Sequence, residues 1–219
     1  MLYKGVVFDF NGTLFLDTEL HNRAWDIFLD KHGFKLSDSD KNRRIHGKNN
    51  RDIMGNLFGA DLSSEKAERF IQEKEAIYRN ICLQLPIELA PGAVEFFRFL
   101  IKNQTQYTIA TASMWENVIF YFDKLNLNKW FDIDKIVYDD GTNMGKPAPD
   151  FFLKACTKLQ LPPKEVIVFE DSYFGIKAAE NAKVGKIIIM ASNTMDYEQW
   201  NYQKIKNYDE VDKKLFKNI

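Results

Sequence analysis

The chain has 219 residues, a formal net charge of −1, and 45% apolar and 28% charged residues. That suffices for one good-sized core, or a core with a small second domain, of ordinary soluble composition. The absence of a basic excess argues against a nucleic-acid or membrane-surface role, and no apolar run reaches the ~18 residues of a membrane span.

The first element comes early. Val6-Val7-Phe8 is an apolar run between Gly5 and the Asn11-Gly12 turn, which predicts a buried strand and leaves no expected signal or transit peptide. From Asp17 to Leu85 no strand is convincing. Helices are predicted at 18–32, stopped by Gly33, then at 37–45, 50–57 and 64–81. "QLPIELAPG" reads as a return linker. Strand and helix then alternate. Pro91-Gly92 opens a helix to Lys102, followed by a strand at 107–111, a helix at 115–125 and a strand at 135–138. Pro149-Asp150 opens a helix to Gln160, followed by a strand at 166–170, a helix at 172–182 and a strand at 186–190. Nearly continuous apolar strands separated by helices indicate a parallel sheet covered on both faces. The end, 197–219, reads as polar and weakly helical, with Lys213, Lys214 and Lys217 on a solvated face. Cys82 and Cys156, each in an apolar helical context, read as reduced core thiols, so the expected location is cytoplasmic.

The fold class is therefore α/β: a Rossmann-like parallel-sheet core with a small all-helical cap inserted after the first strand. Residues 1–16 and 86–219 are assigned to the core and 17–85 to the cap.

In open α/β sheets ligands bind beyond the carboxyl ends of the strands. Those ends carry Asp9 and Asn11, Thr111 and Ser113, and Glu170-Asp171, with Lys146 in the loop before a helix. Taken singly, each is a turn former, a helix cap or a surface lysine. Together they suit phosphoryl transfer. Asp9 would attack phosphorus as a carboxylate. Magnesium accepts a few carboxylates and a backbone carbonyl. Lys146 and Thr111 would offset charge on the transferring group. The amides of Asn11, Gly12 and Thr13 would form an anion seat.

"DFNGTLF", "TAS", "GKPAPD" and "EDSYFGIKAA" resemble the four motifs of the haloacid dehalogenase superfamily, and the resemblance runs through essentially the whole chain. The helical insert is similar to the cap of the subgroup holding β-phosphoglucomutase and many small-molecule phosphatases. "DTELHNRAW" and "RRIHGKNNRDIM" resemble its first helix and substrate-facing loop. The resemblance implies Asp9 as nucleophile and Thr111 and Lys146 as holders of the phosphoryl group, with Gly12, Thr13, Ala112, Ser113 and Asn117 close by. It implies Mg2+ on Asp9, the carbonyl of Asn11 and Asp171, with Glu170 as a further ligand or an acid just behind. It also implies His21 at the entrance to the cap, and Lys48 and Arg51 as grips on a distal part of the substrate. The expected partner is a small phosphorylated metabolite, with the chain a monomer or weak dimer.

Position 11 departs from the family, where an Asp protonates the leaving oxygen and then deprotonates the attacking water. An amide does neither. General acid–base help is worth ~10²–10⁴-fold, or roughly 3–5 kcal/mol of barrier. Three readings stay open. The chain is a slow or selective phosphohydrolase, a binding relative weakened in catalysis, or an ordinary enzyme trapped by an introduced Asn. The acidic pair argues against the dehalogenase branch. Asn11, and Met114 near the place where the mutase carries a lysine, count against a sugar-phosphate mutase, which remains the alternative.

Overall fold

The computed structural model describes residues 2–59 and 61–216. Six parallel strands, β1 (Gly5–Phe8), β2 (Gln106–Met114), β3 (Val137–Asp139), β4 (Val166–Glu170), β5 (Lys186–Met190) and β6 (Gln203–Ile205), lie in the order β3-β2-β1-β4-β5-β6. Side chains alternate across β1. Val6 and Phe8 enter one apolar layer and Val7 the other, so both faces are covered. Phe8 stacks on Phe169 at 5.3 Å and meets Phe96 and Phe97 edge-on. Burial of a ring this size contributes about 1.5–3 kcal/mol, which fixes the strand that carries Asp9.

The first four of the five helices between β1 and β2 form the insert: α1 (Thr18–Lys31), α2 (Asp38–Arg44), α3 (Asn50–Phe58) and α4 (Ser64–Leu83). The starts of α2, α3 and α4 are chemical. Ser37, Asn49 and Ser63 accept from the amides of Asp40, Asp52 and Lys66, satisfying donors that the first helical turn leaves open. The apolar stripes of α1, α3 and α4 close around Trp25, Phe28, Met54 and Ile71, a core separate from those of the sheet. Helices α5 (Ala93–Lys102), α6 (Trp115–Lys124), α7 (Asp150–Lys158) and α8 (Tyr173–Asn181) are the sheet's crossovers.

The differences from expectation are local. β2 runs on through Thr111 to Met114, carrying the "TAS" residues within the strand. Residues 133–135 form a 3-10 turn, and β3 begins after it. The end of the chain is not a weak helix. It holds β6 and two 3-10 turns, and it buries Tyr197, Trp200, Tyr208, Val211 and Phe216 against the sheet. Aromatic anchors spaced among polar residues give no helical period, so the pattern hid them. Lys213 and Lys214 are exposed as expected, while Lys217 lies outside the described residues. Cys82 and Cys156 are free and buried. Among the described residues, no helix is long and apolar enough to cross a membrane.

Candidate active site

β1 and β4 end side by side and β2 runs on past them, so register brings Asp9 and Asn11, Thr111 and Ser113, and Glu170 and Asp171 to one edge. Lys146 Nζ donates to Asp9 Oδ1 at 2.6 Å and to Glu170 Oε1 at 2.5 Å. All three side chains are buried. Glu170 Oε2 accepts from the Ser172 amide at 2.6 Å, so this carboxylate holds both the lysine and the start of α8. Asp171 accepts from Thr13 Oγ1 at 3.2 Å. Two glycines make room for the acids. A Cβ at Gly175 would overlap Glu170, and one at Gly12, already at φ +79°, would overlap Asp171.

Three buried carboxylates share a single ammonium. Burial, opposed by Lys146 but reinforced by Glu170 and Asp17, pushes Asp9 up to about 7. Burial and the charges of Glu170 and Asp9 raise Asp171 well above the usual carboxylate range. Burial works against the Lys146 ammonium, yet Asp9 and Glu170 hold it above its ordinary value. Oxygens of Asp9, Glu170 and Asp171 come within 4.8 Å of one another. An all-oxygen donor set with surplus negative charge fits a hard divalent cation.

Asn11 is held on three sides. Its Nδ2 donates to Asp17 Oδ2 at 2.7 Å and to the Tyr121 hydroxyl at 2.9 Å, and its Oδ1 accepts from Ser113 Oγ at 2.7 Å. Both amide hydrogens are thereby taken up by protein. Asp17 is fully buried and also accepts from the Gly12 amide and the Tyr78 hydroxyl. The anion seat expected at 11–13 is correspondingly reduced. The Gly12 amide donates to Phe15 and Asp17, and the Thr13 amide to Phe10, so neither is free to meet an anion.

A cavity of about 100 Å³ opens over this rim. Asp9, Asn11, Thr111, Ala112, Ser113, Lys146, Glu170 and Asp171 line its floor, and His21 and Lys48 line the cap side. His21 stacks on Tyr78 at 3.8 Å, and its Nδ1 lies 2.9 Å from Lys74 Nζ. An ammonium only donates, so Nδ1 accepts and the ring proton sits on Nε2. Lys48 Nζ rests 4.4 Å above the Phe174 ring. Gly12, Thr13, Arg51 and Asn117 do not line the cavity. The Arg51 guanidinium lies beside Gly141, where its charge opposes the effect of burial on Asp139. Asn117 is buried and joins core to cap, donating to Glu75 Oε2 at 2.7 Å and accepting from Arg79 at 2.6 Å.

Sequence reasoning missed Asp17, Lys74, Glu75, His46 and Trp25, all of which line the cavity. Asp17 read as the boundary of a helix. Lys74 and Glu75 had a signal: they fall on the same buried face of α4 as Ile71, Tyr78 and Cys82, where charge is costly unless paired. They are paired, Nζ to Oε1 at 2.9 Å. Burial would raise Glu75, but the Lys74 charge and the Asn117 hydrogen bond outweigh it and hold the carboxyl at about 2. Burial, with the charges of Lys74 and Lys41, lowers His46 to about 4, so it is neutral at physiological pH.

A Rossmann-like sheet with buried acids and a lysine at its carboxyl edge, covered by a helical insert after the first strand, defines a capped Rossmann-like hydrolase. The chain belongs to the haloacid dehalogenase-like hydrolases, whose family model matches residues 3–183. It is 29% identical to a phosphorylated carbohydrates phosphatase of Thermotoga maritima, over 84% of this chain and 83% of that one. It is 30% identical to a probable pseudouridine-5'-phosphatase of Drosophila melanogaster, over 84% and 80% of the two chains. A solved haloacid dehalogenase hydrolase of family IA, variant 3, from Entamoeba histolytica superposes with a TM-score of 0.86 at 37% identity, covering 97% of this chain and 96% of that one.

Proposed function

We propose that the chain is a magnesium-dependent phosphohydrolase that removes phosphate from a small phosphorylated metabolite through an aspartyl-phosphate on Asp9. The carrying observation is the buried Asp9–Lys146–Glu170 arrangement beside Asp171, at the floor of a cavity of about 100 Å³ beneath the helical insert. Two phosphatases among the relatives support the reaction class, one of them named for phosphorylated carbohydrates. The two buried free thiols favour a reducing cytoplasm.

Asp9, Asp171 and the backbone carbonyl of Asn11 would hold the cation, which when bound supplies charge neutralisation for the transferring phosphoryl group. An Asp9 carboxylate oxygen attacks phosphorus, the bond from phosphorus to the ester oxygen breaks, and the leaving alkoxide takes a proton. Lys146 and Thr111 hold the phosphoryl oxygens. Water then attacks phosphorus, the bond to Asp9 breaks, and phosphate leaves. Asn11 has no proton to give and its amide hydrogens already face Asp17 and Tyr121, so the leaving oxygen draws its proton from elsewhere. Turnover is therefore fastest for substrates whose leaving group needs no proton. The cap over the cavity excludes bulk water during the first step.

The test is magnesium-dependent phosphate release from acetyl phosphate, p-nitrophenyl phosphate and a set of sugar phosphates, run beside Asp9→Ala. Release from the activated esters, abolished in Asp9→Ala, is expected. Tight phosphate and magnesium binding with no release from any ester would instead mark a phosphometabolite-binding protein on this fold.

A further inference from the structure

The family model's match ends at residue 183, yet the site is completed by side chains beyond it. The segment after β5 turns back over the rim. Ser192 Oγ donates to the Gly12 carbonyl, within the turn that follows the nucleophile. Asn193 Nδ2 donates to Asp171 Oδ2 at 2.9 Å. The orientation of that amide is fixed by its other end. Asn193 Oδ1 accepts from the Met195 amide at 2.9 Å, and a backbone N–H only donates, so the NH2 group must face Asp171. The Tyr197 hydroxyl lies 2.9 Å from both the Asp171 carbonyl and Asn193 Oδ1. Its ring is buried in the apolar layer that also takes Trp200.

We propose that Asn193, seated by Tyr197 and the Met195 amide, is the positioning residue that aims the Asp171 carboxylate, and so sets how tightly the site holds a divalent cation. This rests on the metal-dependent reading above. With Thr13 on Oδ1 and Asn193 on Oδ2, both oxygens of Asp171 are tethered, and the carboxylate cannot rotate about its χ2 without losing a hydrogen bond. Partners of this kind, one step removed from a metal, are worth about 10–100-fold in affinity because they prepay the ordering of the ligand. Anchoring through a buried ring makes the tether rigid. The nucleophile turn and the metal carboxylate are thus gripped by one segment, at Ser192 and at Asn193, and their separation is set outside the four sequence motifs.

The experiment is calorimetric titration of Mn2+ and Mg2+ into the substrate-free chain, its Asn193→Ala and Tyr197→Phe variants, and an exposed control, Gln199→Ala. Asn193→Ala is expected to weaken both cations about 10–100-fold and Tyr197→Phe less, while Gln199→Ala matches the parent. Melting in EDTA separates positioning from folding: Asn193→Ala, a half-exposed residue, should melt close to the parent without metal and gain less from added metal. Should Asn193→Ala not fold, Tyr197→Phe, which removes only a hydroxyl, carries the test. Cation affinities within twofold of the parent in the folded variants overturn the proposal. A parent chain that binds neither cation overturns it together with the metal-dependent reading.

Discussion

Replacing Asn11 by Asp is the most informative single change, and its size follows from one distance. Asn11 Nδ2 lies 2.7 Å from Asp17 Oδ2. Two carboxylates at that separation repel by about 6 kcal/mol at an effective dielectric of about 20, which corresponds to about 4 pKa units. Rotation of the new side chain relieves part of this, but at neutral pH the pair retains one proton. Asn11→Asp therefore introduces a neutral carboxylic acid over the cavity, with Ser113 and Tyr121 already placed to hold it. On sugar phosphates kcat/KM should rise by ~10²–10⁴-fold, and on acetyl phosphate it should change little, because only the poor leaving group needs the proton. The assay is kcat/KM against leaving-group pKa for parent and variant, read as a flattening of the slope. Stability supplies a second reading. The shared proton raises the folded pKa above the ~3.9 of an unfolded Asp, so the variant should match the parent near pH 4 and lose stability as the pH rises through the raised value. An equal gain for every leaving group, or a folded variant with no gain on sugar phosphates, would refute the reasoning.

Two further outcomes depend on pH. Asp9 has a folded pKa near 7 against an ordinary value of 3.8, so its ionisation withdraws stability between about pH 4 and 7 and by a constant amount above. Asp9→Asn should therefore equal the parent near pH 4 and exceed it above pH 7 in EDTA, by up to about 4 kcal/mol in urea denaturation, while abolishing phosphate release. His46 shows the opposite acid-side behaviour. Its folded pKa of about 4 lies below the ordinary 6.5, so the unfolded chain binds a proton that the folded chain refuses, and stability falls from pH 6.5 towards 4. His46→Gln should remove about 3 kcal/mol of that loss, measured as a flatter dependence of melting temperature on pH.

What the sequence made legible was whatever a period or a strand end encodes. Val6-Val7-Phe8 declared a strand covered on both faces, and the acid after it marked the rim where Lys146, Glu170 and Asp171 indeed converge. Three of the cap helices, α1, α3 and α4, carry apolar stripes in the sequence, and Gly33 marks the stop of the first. Contacts across the chain left no such trace. Arg51 and Asn117 had the right chemistry and the right neighbourhood, but helix packing turned one towards Gly141 and the other into a pair with Glu75. Asp17 looked like a helix boundary, and only the folded turn shows it holding Asn11, Gly12 and Tyr78 at once. The segment from 197 read as polar and weakly helical because its anchors, Tyr197 and Trp200, are isolated aromatics in a stretch without a repeating pattern.

The central claim is that Asp9 carries the phosphoryl group. The direct measurement is rapid acid quench of the chain during turnover of acetyl phosphate with magnesium, followed by borohydride reduction and peptide mass spectrometry. Aspartyl phosphates reduce to homoserine, so conversion of Asp9, absent without magnesium or substrate, is the predicted result. Phosphate release at full rate with Asp9 unmodified at every quench time, or conversion at another carboxylate instead, would contradict the account.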